Sequence, residues 1–492
     1  MATSSQRHFT IRVPCSSANI GPGYDTLGMS LSMYLKLDVH VGEGATDKLF
    51  EMTYAGEGAT DVPLTPEHNL ITKAALYVLS ANGIQQLPSP LKIHVDNPIP
   101  LGRGLGSSGA AVVAGILLGD ALGQLHLPKE RLLDYSLMIE RHPDNVAAAL
   151  IGGFVASYLR ELSPEDMKGI PESESFLDVI PNKVSPQPPV GIAHHIRLNW
   201  NKDIKCIAIV PQFKVATVEA RAVVPTTFDR QDMIFNFQRL SVLTSAVGQS
   251  PLNPDLIYNA MQDKVHQPYR KTLIPGLPEI LSSITLDKYD GLLGICLSGA
   301  GPTILALATH NFDTIAAAVQ DLFKKHGIQD SFYKVLELHR WILFELEQDP
   351  VISSQTNTPT DSKIPLDVSD ADIVHAMRAA MATTYGDFGS GILKSLQLKW
   401  FNPDTRTGIL RAPRDPVDMV LSSLFFIKKV GSAACHFRCL QSSGTLIHIQ
   451  KYAIERDQRL YLEEQDRVEK QGKVLGVIEK IQKSTALINA IA

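Results

Sequence analysis

Apolar and polar residues alternate over His8–Pro14, which predicts a strand. Cys15–Asp25 then breaks the pattern with small residues and turn formers around Asn19 and Asp25, so it reads as a loop. An apolar segment, Thr26–Leu37, precedes strand-like Leu35–Val41 and Lys48–Tyr54. Leu70, Ala74, Tyr77 and Val78 share one helical face, so Asn69–Asn82 is predicted as a helix. Strand Leu91–Val95 runs toward a glycine-rich stretch. Helices from Ser107 to about Gly123 and over Lys129–Arg141 follow, then strand Phe154–Tyr158. Residues 161–190, polar and proline-containing, read as a boundary or a surface insertion. Next come strand Ile204–Pro211 and helices Ala216–Arg221, Arg230–Val247 and Tyr258–Tyr269. Strands Gly294–Leu297 and Thr303–Ala308 flank a second glycine turn, ahead of helix Phe312–Lys325. Val351–Pro365 (VISSQTNTPTDSKIP) has almost no apolar content and reads as a linker. After it the pattern predicts a helix capped by Asp370 and running to about Tyr385, then a hairpin of Ser395–Trp400 and Thr407–Ala412. Helix Pro416–Val430, strand Cys435–Ser442 and a helix from Thr445 past Asp457 complete it. The mixture is that of an α+β chain with a site between domains.

The stretch Pro98–Gly115, PIPLGRGLGSSGAAVVAG, carries the first chemical signal. Gly102, Gly104 and Gly106 let backbone N–H groups close on a ligand with no Cβ in the way. A helix opening at Ser107 aims its free N–H groups and positive dipole end at the same place, which makes an anion cradle suited to a polyphosphate. Gly104-x-Gly106-x-x-Gly109 formally matches the dinucleotide fingerprint, but Asn97-Pro98-Ile99-Pro100 separates it from the preceding strand, and Asp120 sits on the helix. A P-loop is excluded because no lysine follows the glycines. A casual surface turn is the plainer alternative; three alternating glycines argue for a defined backbone path.

Composition narrows the class. The chain has 492 residues, 44% hydrophobic and 20% charged, enough for several ordinary cores. No run approaches a membrane span and Met1–Val13 is read as carrying no signal peptide, so no membrane partner is expected. Five scattered cysteines fit a reducing compartment, and Cys435-His436-x-x-Cys439 reads as packing because no second ligand pair accompanies it. The net charge of −5 is uneven: residues 365–492 hold 17 Lys and Arg against 14 Asp and Glu, and the other 364 residues hold 29 against 37. A mildly basic end on an acidic body hints at two kinds of partner, with ordinary solvated surface the plainer reading.

PCSSANIGPGYDTLG at 14–28, the glycine stretch, ERHPDNV at 140–146, Thr217-x-x-x-Arg221, HQPYRKTLIPG at 266–276 and LSGAGPTI at 297–304 together resemble the galactose, homoserine, mevalonate and phosphomevalonate (GHMP) kinases, and within them the homoserine kinases. The galactose-type signature around an early Gly-Glu-His is missing. The resemblance covers about residues 8–340. It implies a two-domain GHMP-kinase fold, 1–170 and 171–345, and phosphorylation of the L-homoserine hydroxyl by ATP in threonine biosynthesis. It also implies nucleotide contacts from Pro100, Gly102, Gly104, Leu105, Gly106, Ser107, Ser108 and Gly109, and Mg²⁺ on Ser108 and Glu140, with Asp134 the rival ligand. Arg221 and Arg270 are implied as the carboxylate clamp and Asn19 and Asp25 as the amine and hydroxyl end. Asp25, Asn145 and Thr217 are the catalytic candidates. Asp25 is the nearest thing to a general base, and a mechanism without one stays open. Structural alternatives stand beside these roles: turn residues for Asn19 and Asp25, a solvated helix end for Glu140, caps of the next helix for Asp144 and Asn145, ordinary surface arginines for Arg221 and Arg270, and a structural role for His142. A homodimer and a cytoplasmic location are expected for the kinase.

DIVHAMRAAMATTYGDFG at 372–389, LQLKWFNPDTRTGILRAPRD at 396–415 and FRCLQSSGTLIHIQKYAIERDQR at 437–459 resemble the small protein subunit shared by ribonuclease P and RNase MRP. This implies a separate small α/β domain at 370–492 behind a linker at 346–369. RNase P/MRP RNA and protein subunits would be its partners, in tRNA processing, with a nuclear or nucleolar location. Lys399, Arg411, Arg414, Arg438, Lys451 and Arg456 are its candidate phosphate contacts, or else a solvated basic face. The first strand of that family is expected to be missing, replaced by the linker, with His339–Asp349 read as the kinase's own end. Two merged neighbouring genes would explain that junction as well as a bifunctional chain. A sibling kinase with another alcohol substrate, or an RNA-binding subunit carrying an inactive kinase, are the alternatives.

Overall fold

The computed structural model describes residues 7–42, 49–168, 184–201, 203–336, 339–348, 368–392, 396–413, 417–425, 427–443, 446–469 and 477–491. The linker reading at Val351–Pro365 lies outside them, as does half of 161–190. The chain divides into two compact units, one formed mainly by Ile11–Leu338 and the other by His339–Ala492 together with Gln6–Thr10. No described helix is long and apolar enough to cross a membrane.

The first unit contains two sheets. One holds β1 (Arg7–Asn19), β2 (Gly23–Val41), β3 (Phe50–Gly56), β4 (Leu91–Asn97), β5 (Phe154–Leu159) and β6 (Ala193–Arg197). Their order is β3-β4-β2-β5-β6, and β1 pairs with β2 off that path. Cys15–Asp25 is therefore mostly strand rather than loop; the chain turns only at residues 20–22, between β1 and β2. Helices α1 (Leu70–Ala81), α2 (Ser107–Gly123), α3 (Lys129–Glu140) and α4 (Pro143–Ile151) pack on this sheet and each other. Asn69 caps α1 by accepting from the Ile71 N–H. Helix α2 is buried nearly all round, which explains why its sequence shows no amphipathic stripe. Asp120 on α2 accepts from the Leu127 N–H at 2.8 Å, a loop contact, so it has no part in nucleotide recognition of the dinucleotide-fold kind.

After a short α5 (Pro164–Lys168), the second sheet is antiparallel, in the order β10-β7-β9-β8, from β7 (Lys205–Pro211), β8 (Leu292–Leu297), β9 (Ile304–Ala308) and β10 (Ser331–Leu336). Around it lie α6 (Thr217–Ala222), α7 (Arg230–Ala246), α8 (Pro254–Ala260), α9 (Gln267–Arg270), α10 (Leu277–Ser283) and α11 (Phe312–Lys325). Ile207, Ile209, Leu297, Ile304, Val319 and Phe323 form the heart of its core. The expected helix Tyr258–Tyr269 is two short helices. The carboxylate of Asp263 captures the backbone N–H groups of Val265, His266 and Gln267 and stops the α-helical ladder there.

The second unit is a five-stranded antiparallel sheet in the order β12-β13-β11-β15-β14. Its strands are β11 (His339–Gln348), β12 (Gln397–Asn402), β13 (Thr407–Pro413), β14 (Lys429–Val430) and β15 (Ala433–Ser443). Helices α12 (Asp370–Ile392), α13 (Val417–Phe425), α14 (Leu446–Glu469) and α15 (Val477–Asn489) accompany them. The strand expected to be missing is present. His339–Gln348, read from sequence as the kinase's end and in part as linker, is the middle strand of this sheet. Ile342 and Phe344 point into one core and Leu343 into another, so both faces are covered and the apolar run is nearly continuous. Two smaller readings also change. Ser369, not Asp370, caps α12, its hydroxyl accepting from the Asp372 N–H while Asp372 accepts from Ser369 in return. Helix α13 stops at Phe425, because Lys429–Val430 leaves to pair with Ala433–Ala434.

Candidate functional site

Strand β4 delivers the chain to the glycine loop, where the Asn97 side chain accepts from the Ile99 N–H and turns it. Gly102, Gly104 and Gly106 all adopt left-handed backbone, with φ of +64°, +81° and +64°. Such an alternation points successive N–H groups into one concavity. A Cβ at Gly104 would strike the Ser298 carbonyl oxygen, and one at Gly106 the Ser16 hydroxyl. No side chain caps α2 at Gly106, so the N–H groups of its first turn face the concavity. Leu105 is buried in the core at 1% exposure and Pro100 is also buried, so their part in the loop is to anchor it.

The second glycine turn, Ser298–Gly301, braces this loop. The Ser298 hydroxyl donates to the Gly104 carbonyl at 2.6 Å, and the Thr303 N–H to the Arg103 carbonyl at 3.2 Å. The Val215 N–H holds Gly102 in the same way at 3.0 Å.

Beside the loop, exposed Ser108 donates to Glu140 Oε1 at 2.5 Å. A hydroxyl and a carboxylate are hard oxygen donors, the set that Mg²⁺ takes together with phosphate. The rival, Asp134, is fully engaged: Arg131 Nη1 donates to it at 2.7 Å, and the N–H groups of Gly191 and Ile192 at 3.0 and 2.8 Å. His142 lies between two acids, with Nδ1 2.9 Å from Asp144 Oδ1 and Nε2 3.6 Å from Glu140 Oε2. Burial pulls its pKa down, but the bond to Asp144 and the charges of Asp144 and Glu140 outweigh that and raise it. Asn145, in the first turn of α4, accepts from the Ser16 hydroxyl at 2.9 Å, next to Gly106.

The arginines converge on the tight turn between β1 and β2. Asn19 and Asp25 both have positive φ, +62° and +55°, a conformation that costs a non-glycine residue about 1–3 kcal/mol and persists only where the surroundings enforce it. Enforcement comes from Asn19, which accepts from the Asp25 N–H at 2.9 Å and donates to the Gly299 carbonyl at 3.0 Å. Arg221 grips Asp25 with both ends of its fork, at 2.9 and 2.6 Å. The fork expected to be open for a ligand is thus shared with the chain's own carboxylate. Arg270 is 1% exposed and donates through Nε to the Ala220 carbonyl and through Nη1 to the Gly299 carbonyl and to His266. Burial lowers its pKa from the usual arginine value. Both guanidinium groups sit over the Tyr24 ring, 5.7 and 5.5 Å from its centroid. Thr217 is exposed, one helical turn ahead of Arg221 on α6.

Sequence reasoning quoted Ser16, Tyr24, His266 and Ser298 only inside motifs, with no role for any of them, and it missed Asp263. Their signal was proximity to quoted motifs; nothing local marks a serine or tyrosine as a brace.

In the second unit, two of the six basic candidates face acids on β11. Arg438 pairs with Glu347 at 2.8 Å and Arg456 with Glu345 at 2.5 Å. Arg411 is half-buried with an Nε that has no partner. Arg414 and the Lys451 side chain lie outside the described residues. His436 bonds to Glu347 and Cys435 is buried, in keeping with packing at that Cys-His cluster.

Residues 69–153 match the model of the GHMP kinases N terminal domain and residues 251–326 that of the GHMP kinases C terminal; residues 340–454 match the Rpp14/Pop5 family. The chain is 54% identical over 347 residues to homoserine kinase of Saccharomyces cerevisiae, spanning 67% of this chain and 96% of that one. With homoserine kinase of Schizosaccharomyces pombe it shares 52% over 321 residues, 65% of this chain and 94% of that one. A crystal structure of homoserine kinase from Cytophaga hutchinsonii has the same fold at TM-score 0.53 and 24% identity, over 69% of this chain and 96% of that one. At such identity and coverage the chain belongs to the homoserine kinase family.

Proposed function

We propose that the first unit transfers the terminal phosphoryl group of ATP to the side-chain hydroxyl of L-homoserine, giving O-phospho-L-homoserine for threonine synthesis. One observation carries the two-substrate reading. The turn at Ser298–Gly299 holds both the glycine loop, through Ser298 on Gly104, and the amino-acid end, through Gly299 on Asn19 and Arg270. Phosphoryl transfer is mainly positioning and charge stabilisation, and a shared brace fixes the distance between donor and acceptor.

In this mechanism the loop N–H groups from Gly102 to Gly109 and the start of α2 hold the phosphates. Ser108 and Glu140 would hold Mg²⁺, which supplies neutralisation of phosphate charge. Arg270, with Arg221, receives the substrate carboxylate; Asn19 and Asp25 face its amine and hydroxyl. Asp25 is the nearest acceptor for the hydroxyl proton, with Asn145 orienting that oxygen and Thr217 beside the moving phosphoryl group. A cytoplasmic kinase acting as a homodimer fits this reading. The second unit, by its Rpp14/Pop5 match, would join RNase P or MRP RNA and protein subunits in the nucleus.

The test is incubation of the full chain with ATP and L-homoserine, followed by ³¹P NMR. A phosphate monoester of homoserine is expected. Turnover of mevalonate or galactose in its place would assign a sibling activity, and no turnover of any alcohol would leave the RNA-binding role as the primary one.

A further inference from the structure

His266 is wholly buried, yet it touches both parts of the amino-acid end. Its Nδ1 lies 3.0 Å from Arg270 Nη1 and its Nε2 2.9 Å from the carbonyl of Gly21, at the tip of the turn whose flanks carry Asn19 and Asp25. A guanidinium only donates, so Nδ1 must accept; the ring proton then sits on Nε2 and is donated to Gly21. The ring stacks on Tyr24 at 5.4 Å, the same tyrosine over which both arginines lie.

The mounting of this imidazole is itself rigid. Asp263 accepts from the His266 and Gln267 N–H groups at 3.0 and 2.8 Å and from Asn236 Nδ2 at 2.7 Å, and its Oδ2 lies 3.5 Å from the ring's Nε2. Gln267 in turn accepts from the Leu297 N–H at 2.7 Å, which pins α9 to β8. Burial lowers the pKa of His266, consistent with a neutral ring beside a cation.

The geometry points to His266 as a positioning residue that sets the spacing between Arg270 and the Asn19–Asp25 turn, and so fixes recognition of the substrate carboxylate relative to the reacting hydroxyl. This rests on the homoserine reading above. Both ring nitrogens are occupied and the ring is shut away from solvent, so it exchanges no proton with substrate. It acts through Arg270 on one side and Gly21 on the other.

The test compares L-homoserine with 3-aminopropan-1-ol, the same amino alcohol without its carboxylate, by the ratio of their kcat/KM values. That ratio is independent of how much enzyme is folded. His266→Phe keeps an aromatic ring against Tyr24 but removes both hydrogen bonds, and should cut the homoserine preference by about tenfold or more, with KM for ATP unmoved. His266→Asn puts an amide oxygen near the Nδ1 position and should recover much of the preference; His266→Gln reaches only toward Gly21 and should recover less. An unchanged preference in His266→Phe overturns the proposal, as does equal loss with both alcohols or no advantage of Asn over Phe. A wild-type chain that fails to phosphorylate homoserine sinks the substrate reading instead, so the two failures are told apart.

Discussion

The glycine loop presents mostly backbone, while the cluster at Arg270 presents side chains. Gly102–Gly109 is one contiguous segment in which left-handed glycines lead into a helix start with no side-chain cap. The cluster draws Asn19 from the end of β1, Tyr24 and Asp25 from the start of β2, Arg221 from α6, His266 from the N-cap of α9 and Arg270 from its last residue. The difference teaches that a backbone cradle is all-or-none, because one Cβ closes it, whereas a side-chain pocket can lose members in graded steps.

The largest effect should therefore come from the loop. Gly106→Val places a branched side chain at φ +64° against Ser16 and Asn145, and nucleotide binding measured by calorimetry should vanish. Retained ATP affinity would remove the loop from the site. Arg270→Ala should follow, lowering kcat/KM for homoserine by about ten- to a few hundred-fold with little change in KM for ATP. Arg270→Lys should not restore it, since an ammonium cannot reach Ala220, Gly299 and His266 together. If both variants used homoserine normally, the contrast between the two ends would collapse.

Arg221→Ala should cost less than Arg270→Ala, because its fork is one-third exposed and already shared with Asp25. A double-mutant cycle with Asp25→Asn should give a coupling of roughly 1 kcal/mol or below in stability, as for other part-exposed pairs. A larger coupling would mean that the pair is a structural strut rather than half of a clamp. The smallest effect belongs to the second unit. Arg438→Ala and Arg456→Ala each remove a cation already facing an acid on β11, so the salt dependence of RNA binding by the full chain should change by less than the roughly 0.7–0.9 in slope that one phosphate contact contributes. A full-sized change in either would show that RNA displaces the glutamate.

What could be read from sequence follows the same division. The spans Ser107–Gly123 and Phe312–Lys325 came out at their ends, because glycine and asparagine punctuate locally. The glycine loop was legible for that reason. The cluster's arginines were visible only through motif resemblance, and their partners were not, since Arg270 meets Ala220 and Gly299 across 50 and 29 residues of chain. Asp263 split an expected helix because a carboxylate bonding to the next few N–H groups looks, in sequence, like any helical acid. Strand His339–Gln348 was assigned to the wrong unit because its two covered faces leave no alternation to follow.

That strand has a further consequence for how the chain can be divided. The last strand of the first unit ends at Leu336, and the middle strand of the second begins at His339. A protease or a transcript boundary anywhere in 349–369 would carry away the strand to which β13 and β15 are both paired. The kinase would survive such a cut with a useless tail, and the remainder would be a sheet with a gap at its centre. The boundary between the two units therefore falls before His339, and Val351–Pro365 belongs by position to the second unit rather than between the two.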